Sequence, residues 1–219
     1  MQNISKEDYL STIYKSADGN GEIKANLIAK KLNISQAAVT DMLRRLSNDG
    51  YVDYRRYRGI KLTVLGEEYA RNIVRRHRIW EVFLHRVVEM PWDKVHGEAH
   101  KLEHGSSDEL INCLEEMLDY PEFDPHGDPI PDKNGKLPKG TNGVPLSTIK
   151  PGNKVKVNRV HDFDSSFLKY ISKIGIKLNK EINVSDILEF DNSLMIHVDK
   201  KEISISSKLA ANIFVTEVN

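Results

Sequence analysis

Apolar residues in the N-terminal part of the chain recur every three or four positions, which is the spacing of amphipathic helices. Ser5 followed by Asp8 resembles a capping box and predicts the start of the first helix. A second short helix precedes the turn at 33–35, and Ser35 is a good N-cap for a third. The predicted inward positions are Tyr9, Leu10, Ile13 and Tyr14, then Leu27, Ile28 and Leu32, and then Val39, Met42, Leu43 and Leu46. Two short helices joined by a tight turn indicate a helix-turn-helix motif.

A basic hairpin is predicted directly after the third helix. Residues 51–62 read as two short strands that turn at Arg58-Gly59. Residues 44–61 contain six basic and two acidic residues, a net charge of +4 in a chain whose formal charge is +0. Because a charged wing beside a recognition helix suits the DNA backbone, we predict a DNA-binding winged helix. The alternative is a winged helix that binds protein and has a merely solvated wing.

The predicted DNA contacts fall into two classes, those to base edges and those to phosphates. The outer face of the third helix is expected to present Gln36, Ala37, Ala38, Thr40 and Asp41 to the bases. Small side chains suit thymine methyl groups, and an aspartate can accept a hydrogen bond from cytosine. The phosphate contacts are expected from Ser35, Arg44, Arg55, Arg56, Arg58 and Lys61.

The middle of the chain is predicted to be helical. A long helix should run from Thr63 to about Val88, and 90–92 (Met-Pro-Trp) should end it. Two further helices are expected to begin at Asp93 and near Ser107. These helices carry more apolar surface than a thin domain can bury alone, which favours a homodimer with two-fold symmetry. A DNA reader with a single recognition helix usually works as such a dimer.

The C-terminal part changes to short alternating runs after a segment rich in Pro and Gly at 119–151, which we interpret as a linker. The runs at 154–160, 181–187, 194–198 and 202–205 predict a small, partly open β-barrel. A long linker implies that this barrel docks weakly and modulates DNA binding without creating it. The predicted domains are 1–65, 66–140 and 141–219.

Composition agrees with a folded cytoplasmic protein that has no membrane partner. The 219 residues are 39% hydrophobic and 29% charged, and no apolar run approaches the ~20 residues of a membrane span. The N-terminus lacks a signal-peptide pattern. Cys113 is the single cysteine, so no internal disulfide can form.

Histidines are concentrated in one stretch, because five of the eight lie between His77 and His104. His77 and Glu81 are one helical turn apart, and His96, His100, Glu103 and His104 repeat at the same spacing. Such nitrogen and carboxylate donors can bind a divalent cation without a thiolate. A solvated, charged helix is the alternative. A metal-dependent hydrolase and an interaction module with a structural metal are alternative functions, but no H-E-x-x-H motif, nucleophile elbow or phosphate loop is present.

Four segments resemble the diphtheria toxin repressor family of metal-dependent transcriptional regulators. They are R-R-H-R-I-W-E at 75–81, V-H-G-E-A-H-K-L-E-H at 95–104, S-D-E-L at 107–110 and H-G-D-P-I-P at 126–131. Residues 145–218, with L-S-T-I-K-P-G-N-K-V near their start, resemble the SH3-like domain of iron-transport protein A. The resemblance implies a mainly α fold with a small β part: a winged helix-turn-helix, a helical dimerisation and metal-binding domain, and an SH3-like barrel.

The resemblance also implies a primary and an ancillary metal site in each subunit. His100, Glu103 and His104 match the primary site, which Asp8 completes, and His77, Glu81 and His96 match the ancillary site. Further candidate ligands are Asp124, His126 and Asp164. Iron-type members carry Met and Cys where this chain has Asp8 and His100, and manganese-type members carry Asp and Glu, so the pair matches neither set.

The expected function is therefore a repressor, not an enzyme, that binds operator DNA as a dimer when it carries metal. A nitrogen-and-oxygen donor set favours Mn²⁺ or Fe²⁺, with Zn²⁺, Co²⁺ or Ni²⁺ as possible surrogates. The family implies that the regulated genes serve metal homeostasis.

Overall fold

The computed structural model describes residues 5–17, 20–54, 59–139, 143–162 and 164–218. The chain divides into two compact units. The first unit comprises Met1–Arg76, Glu103–Gly105 and Pro131–Lys136, and the second comprises His77–Leu102, Ser106–Ile130 and Leu137–Asn219. No helix in the described ranges is long and apolar enough to cross a membrane.

The first unit contains the predicted winged helix-turn-helix. Its elements are α1 (Lys6–Ser16), α2 (Ala25–Leu32), α3 (Gln36–Asn48), β1 (Val52–Tyr54), β2 (Ile60–Leu62) and the first turns of α4 (Val64–Arg86). Leu10, Ile13, Ile28 and Leu43 are fully buried and form its core. Leu27, which the helical pattern predicted to face inward, is exposed.

The turn and the wing have local causes in the sequence. Asn33 adopts a left-handed conformation at φ 53° and ends α2, which an asparagine tolerates better than most residues. The Ser35 hydroxyl accepts a hydrogen bond from the Ala38 amide and so caps α3. Strands β1 and β2 pair antiparallel, with Tyr54 opposite Ile60. A Cβ at Gly66 would lie 1.9 Å from the Tyr51 carbonyl oxygen, so only glycine lets α4 begin this close to the wing.

The second unit contains the helical middle of the chain. The end of α4 packs with α5 (Trp92–Glu103) and α6 (Asp108–Met117). Its helical core is apolar and consists of Ile79, Val82, Ile111, Leu114, Leu118 and Ile130, with a smaller cluster of Leu84, Val95 and Ala99. Ser107 caps α6 through the Leu110 amide, close to the predicted start.

The C-terminal part of the second unit is an antiparallel sheet. In chain order its elements are β3 (Val144–Pro145), a 3-10 turn (Leu146–Thr148), β4 (Lys154–Val160), α7 (Ser165–Lys173), β5 (Glu181–Ile187), β6 (Leu194–Val198), β7 (Lys201–Ile205), α8 (Ser207–Ala210) and β8 (Ile213–Glu217). The strand order is β3-β8-β4-β5-β6-β7, which leaves β3 and β7 at open edges among the described residues. Register shifts at Val157/Arg159 and Val184/Asp186 bend the sheet around its apolar core. The predicted fold class is confirmed.

The linker interpretation of 119–151 is wrong for much of its described part. Phe123 pairs with Pro129 in a β-bridge, and the Val160 amide of β4 donates to the His126 carbonyl at 2.9 Å. The Trp92 indole donates to Ser172 of α7 at 2.8 Å. The barrel therefore belongs to the same compact unit as His77–Leu102 and Ser106–Ile130. The expectation that it docks weakly and modulates DNA binding stays a prediction. Residues 122–136 of this segment form hydrogen-bonded turns.

Candidate metal centre

Helical spacing brings the first group of predicted ligands together in the second unit. His77 and Glu81 lie on successive turns of α4, and His77 Nε2 is 3.0 Å from Glu81 Oε1. His96, on α5, places its Nδ1 3.1 Å from both of these atoms. All three side chains are at least half buried, and Glu81 is fully buried. We call these three residues, together with Asp162, Asp124 and His126 described next, the Glu81 cluster.

Asp162 is a member of this cluster that the sequence prediction missed. Its Oδ2 is 2.9 Å from His96 Nδ1. The predicted ligand Asp164 does not reach the cluster and instead caps α7, accepting hydrogen bonds from the amides of Ser166 and Phe167. The prediction for Asp164 is therefore corrected, because Asp162 is the aspartate that lies beside His96. The sequence did contain a signal for the capping role of Asp164, because an aspartate followed by two serines is a typical helix N-cap.

Asp124 and His126 form a further donor group with Glu81. His126 Nε2 donates to the Trp92 carbonyl at 2.8 Å, which leaves its Nδ1 3.8 Å from Glu81 Oε1. Asp124 Oδ1 accepts from the amides of His126 and Asp128 and so shapes the loop. Three buried atoms of this group have no hydrogen-bond partner among the described residues: Glu81 Oε2, His126 Nδ1 and Asp124 Oδ2, the last of which forms an ion pair with Arg78 Nε at 3.7 Å. Buried polar atoms without hydrogen bonds are costly, so Glu81 Oε2 and His126 Nδ1 point to a ligand.

Burial and neighbouring charges act in opposite directions on the pKa values of the Glu81 cluster. Burial alone would raise the pKa of Glu81, but the charge of His77 and hydrogen bonds from the histidines hold it well below its ordinary value. Burial, with the nearby charges of Glu81 and Asp128, raises the pKa of Asp124 well above its ordinary value. Burial opposes a charge on His96, yet hydrogen bonds to Asp162 and Glu81 outweigh it and raise the pKa of His96 to about 10. Burial also opposes a charge on His126, but the hydrogen bond to Glu81 and the charge of Glu81 outweigh it and raise the pKa of His126 to about 9.

These donors fit a divalent cation. One ring nitrogen of His96 has only one hydrogen or one lone pair, yet it lies within 3.1 Å of His77, Glu81 and Asp162 atoms. Separations near 3 Å are those of neighbouring ligands around an ion whose bonds are about 2.1 Å long. Imidazole and carboxylate donors suit Mn²⁺, Fe²⁺ or Zn²⁺.

A second donor group consists of Asp8, His100, Glu103 and His104, and we call it the Glu103 cluster. Asp8, Glu103 and His104 belong to the first unit. Glu103 ends α5 and is buried, and His104 follows it. His104 Nε2 is 3.4 Å from Glu103 Oε1 and 3.5 Å from Asp8 Oδ1 of α1. His100 lies one turn before His104 on the same side of α5. Residues separated by more than ninety positions thus meet here, as the family resemblance implied for Asp8.

Asp8 serves two partners through its two oxygens. Its Oδ2 accepts hydrogen bonds from the Ser5 amide at 2.7 Å and from the Ser5 hydroxyl at 2.9 Å, completing a capping box. Its Oδ1 faces His104. The capping-box reading of the sequence and the ligand reading therefore describe different oxygens of one carboxylate.

The predicted DNA-contacting residues of α3 lie on its exposed side. Gln36, Ala37 and Ala38 are exposed on the first turn, while Thr40 is half buried and donates to the Gln36 carbonyl at 2.9 Å. Asp41 and Arg44 are exposed and 3.8 Å apart. The opposite face of α3 is buried through Val39, Leu43 and Leu46, so the polar face is the one open to a ligand.

The wing is only partly described. Arg55, Arg56 and Arg58 lie outside the described residues. Lys61 on β2 is half exposed and 3.3 Å from Glu22. Glu22 therefore competes with a DNA phosphate for the ammonium group of Lys61.

Three family models together match most of the chain. The iron dependent repressor N-terminal DNA-binding domain matches residues 3–60, its metal-binding and dimerisation domain matches 63–132, and the FeoA domain matches 144–217. A solved manganese-dependent transcriptional repressor in complex with manganese is 31% identical, with a TM-score of 0.90 over 98% of this chain and 100% of that one. ScaR with bound Cd²⁺ is 31% identical, with a TM-score of 0.85 over 98% and 100%.

A more distant relative gives the same result. The IdeR protein of T. acidophilum is 26% identical, with a TM-score of 0.79 over the full length of both chains. The manganese-dependent relative and ScaR are repressors, so the hydrolase alternative is not supported. With a DNA-binding helix, two carboxylate–histidine clusters and full-length similarity to such proteins, the chain belongs to the diphtheria toxin repressor family of metal-dependent transcriptional repressors.

Proposed function

We propose that this protein binds operator DNA as a homodimer when Mn²⁺ or Fe²⁺ occupies its donor clusters, and that it thereby represses metal-homeostasis genes in the cytoplasm. The observation that carries the proposal is the meeting of Asp8 with Glu103 and His104. Asp8 belongs to the first helix of the DNA-binding domain, whereas Glu103 and His104 belong to the metal-binding domain. A ligand held by all three restrains the position of α1.

We assign a different role to each of the two clusters. Asp8, His100, Glu103 and His104 form the regulatory site, and His77, Glu81, His96 and Asp162, with Asp124 and His126, form the second. A bound divalent ion supplies positive charge and coordination bonds to these donors. Asp162 follows the last strand residue of β4 by two positions, so the second site holds the SH3-like domain (141–219) on the helical domain (66–140). The winged helix (1–65) reads the DNA.

The metal preference follows from donor chemistry. Asp8, Glu103 and His104 supply oxygen and nitrogen, and the described clusters contain no thiolate. Such a set suits Mn²⁺ and Fe²⁺, while Zn²⁺, Co²⁺ and Ni²⁺ can replace them in vitro because imidazole also suits those ions. Solved relatives carry manganese, Cd²⁺ or Zn²⁺, which supports binding of a divalent ion here.

We propose that α3 enters the major groove with its exposed face toward the bases. Gln36, Ala37, Ala38, Thr40 and Asp41 are proposed to contact bases. The phosphate contacts are proposed for Ser35, Arg44, Arg55, Arg56, Arg58 and Lys61. Apolar side chains left exposed on the helical domain support a two-fold dimer, namely Leu110 and Met117 of α6 and Val87 and Val88 after α4.

The test is a gel-shift titration with duplex DNA from the region upstream of the protein's own gene. Binding should be tight with MnCl₂ and should weaken on addition of a chelator, and fresh MnCl₂ should restore it. Ordinary allosteric coupling of about 1–3 kcal/mol predicts a 5- to 150-fold change. Equal affinity with and without chelator would refute metal control. Metal binding with no DNA binding under any condition would favour an interaction module.

A further inference from the structure

Glu7, the residue before Asp8, contacts the imidazole ring of His104 in the Glu103 cluster. Glu7 was not predicted as a site residue. Its Oε2 accepts a hydrogen bond from His104 Nδ1 at 2.6 Å. Its Oε1 accepts one from the Tyr69 hydroxyl of α4 at 3.0 Å. The Glu7 side chain is largely buried, with 19% exposed. A first-turn glutamate that only favoured the helix dipole would need neither partner.

The contact to Glu7 orients the other nitrogen of His104. A neutral imidazole carries a single proton, so donation from Nδ1 to Glu7 leaves the lone pair on Nε2. That nitrogen is the one facing Asp8 Oδ1 at 3.5 Å and Glu103 Oε1 at 3.4 Å. A metal ligand needs a lone pair directed at the ion, and a carboxylate behind the ring commonly supplies that orientation.

Tyr69 is itself held in place. Its ring lies edge-on to Tyr51 with centroids 5.4 Å apart, and Lys6 Nζ lies 4.6 Å from its ring centroid. The hydroxyl therefore reaches Glu7 from a packed support, and Glu7 cannot turn away without losing two hydrogen bonds. The order of contacts is Tyr69, Glu7, His104 and then the carboxylates of Asp8 and Glu103.

We propose that Glu7 is a positioning residue that fixes the ring and tautomer of His104 for cation binding, with Tyr69 holding Glu7. This inference rests on the proposed role of the Glu103 cluster. It differs from direct ligation by Glu7, because Glu7 contacts Nδ1 of His104, whereas Asp8 and Glu103 face Nε2, the other ring nitrogen. Helix α1 then contributes Asp8 as a ligand and Glu7 as the residue that positions a second ligand, His104.

The first readout is the tautomer of His104 in the full-length, metal-free protein. Long-range ¹H–¹⁵N spectra of histidine-labelled protein should show the neutral ring protonated at Nδ1 in the wild type. Glu7→Ala should give a mixture of tautomers, while Glu7→Gln, which keeps an acceptor oxygen, should retain more of the Nδ1-protonated form. A purely structural role of Glu7 would leave the tautomer unchanged.

The second readout is the affinity for Mn²⁺, followed by the EPR signal of the free ion. Glu7→Ala should weaken binding at the Glu103 cluster by about 10- to 100-fold, with a smaller loss for Glu7→Gln and for Tyr69→Phe. Glu103→Gln shows what the Glu81 cluster binds alone. The matched control is Glu67→Ala, because Glu67 of α4 is an exposed acid paired with Arg71 at 2.8 Å. It should change neither readout.

The outcomes separate this inference from the proposed function. An unchanged tautomer together with wild-type Mn²⁺ affinity in Glu7→Ala overturns the inference alone. A wild-type tautomer in Glu7→Ala with lost affinity also overturns it, since Glu7 would then act as a ligand. If the wild type bound no Mn²⁺ at the Glu103 cluster, the proposed function would fail, whatever the tautomer of His104.

Discussion

Replacing Asp162 by asparagine tests whether the SH3-like domain takes part in the second metal site. Asp162 Oδ2 lies 2.9 Å from His96 Nδ1, and its side chain is 20% exposed. Removing a carboxylate that ligates the ion, or supports a histidine ligand, typically costs 10- to 100-fold in affinity, or about 1.4–2.7 kcal/mol. We expect Asp162→Asn to weaken Mn²⁺ binding at the Glu81 cluster by this factor and to leave the Glu103 cluster unchanged.

The same substitution should change the stability of the metal-free protein in a pH-dependent way. The pKa of His96 is raised from 6.5 to about 10, so its carboxylate contacts stabilise the fold fully below pH 6.5 and lose effect as the pH rises through about 10. A charged hydrogen bond is worth about 1.5–3 kcal/mol, and the partial exposure of His96 reduces this to about 1 kcal/mol. Denaturant unfolding should show this loss at pH 6.5 and almost none at pH 10.

Calorimetry provides the assay and the control. Mn²⁺ titrations in two buffers of different ionisation enthalpy should also show proton release near pH 7, because the raised pKa values of His96 and His126 keep both rings protonated without metal. Asp164→Asn is the matched control, since asparagine is also a good N-cap for α7. An unchanged affinity in Asp162→Asn, or an equal loss in Asp164→Asn, would refute the assignment.

Three further predictions concern DNA binding and assembly. Arg56→Ala should weaken binding to all duplexes alike and lower the salt slope by about one, measured by fluorescence anisotropy at several salt concentrations; a changed sequence preference would contradict the wing assignment. Glu22→Gln should free Lys61 from its 3.3 Å partner and raise DNA affinity by up to about fivefold, the value of one exposed ion pair, whereas weaker binding would show that Glu22 supports the wing. Met117→Asp should place a charge in the proposed dimer face, so light scattering should report a monomer; a stable dimer would place the interface elsewhere.

Local patterns predicted the winged helix well because its signals are local. Ser35 as N-cap and the apolar spacing of Val39, Leu43 and Leu46 define α3 without tertiary information. The pattern failed at Leu27, which has helical spacing but lies at an exposed edge. Burial depends on what packs against a residue, and spacing alone does not contain that information.

The second metal cluster shows what sequence spacing cannot supply. His77 and Glu81 are predictable from one helix, but Asp162 joins them from beyond the end of β4, more than eighty residues later in the chain. The Pro- and Gly-rich composition of 119–151 suggested a linker, whereas several amides between 122 and 136 form hydrogen bonds, such as that of His126 to Asp124. Glu7 was hidden for a similar reason, because only the fold brings Tyr69 and His104 to its two oxygens.

The two oxygens of Asp8 have different contacts, so two substitutions can distinguish its capping role from its role as a ligand. Asp8→Asn keeps an acceptor for the Ser5 cap and removes the carboxylate facing His104, whereas Asp8→Ala loses both. Comparing these two variants separates helix capping, which is worth about 1 kcal/mol of stability, from ligation.

The most direct measurement is the Mn²⁺ dependence of DNA affinity in wild type, Asp8→Asn and Glu103→Gln, using anisotropy of a fluorescent upstream duplex. We expect both variants to lose the stimulation by MnCl₂. Glu103→Gln should also lose nearly all Mn²⁺ uptake at its cluster, while Asp8→Asn should keep part of it because Glu103 and His104 remain. If Asp8→Asn retained full Mn²⁺-dependent DNA binding, Asp8 would be a helix cap only, and control through α1 would be contradicted.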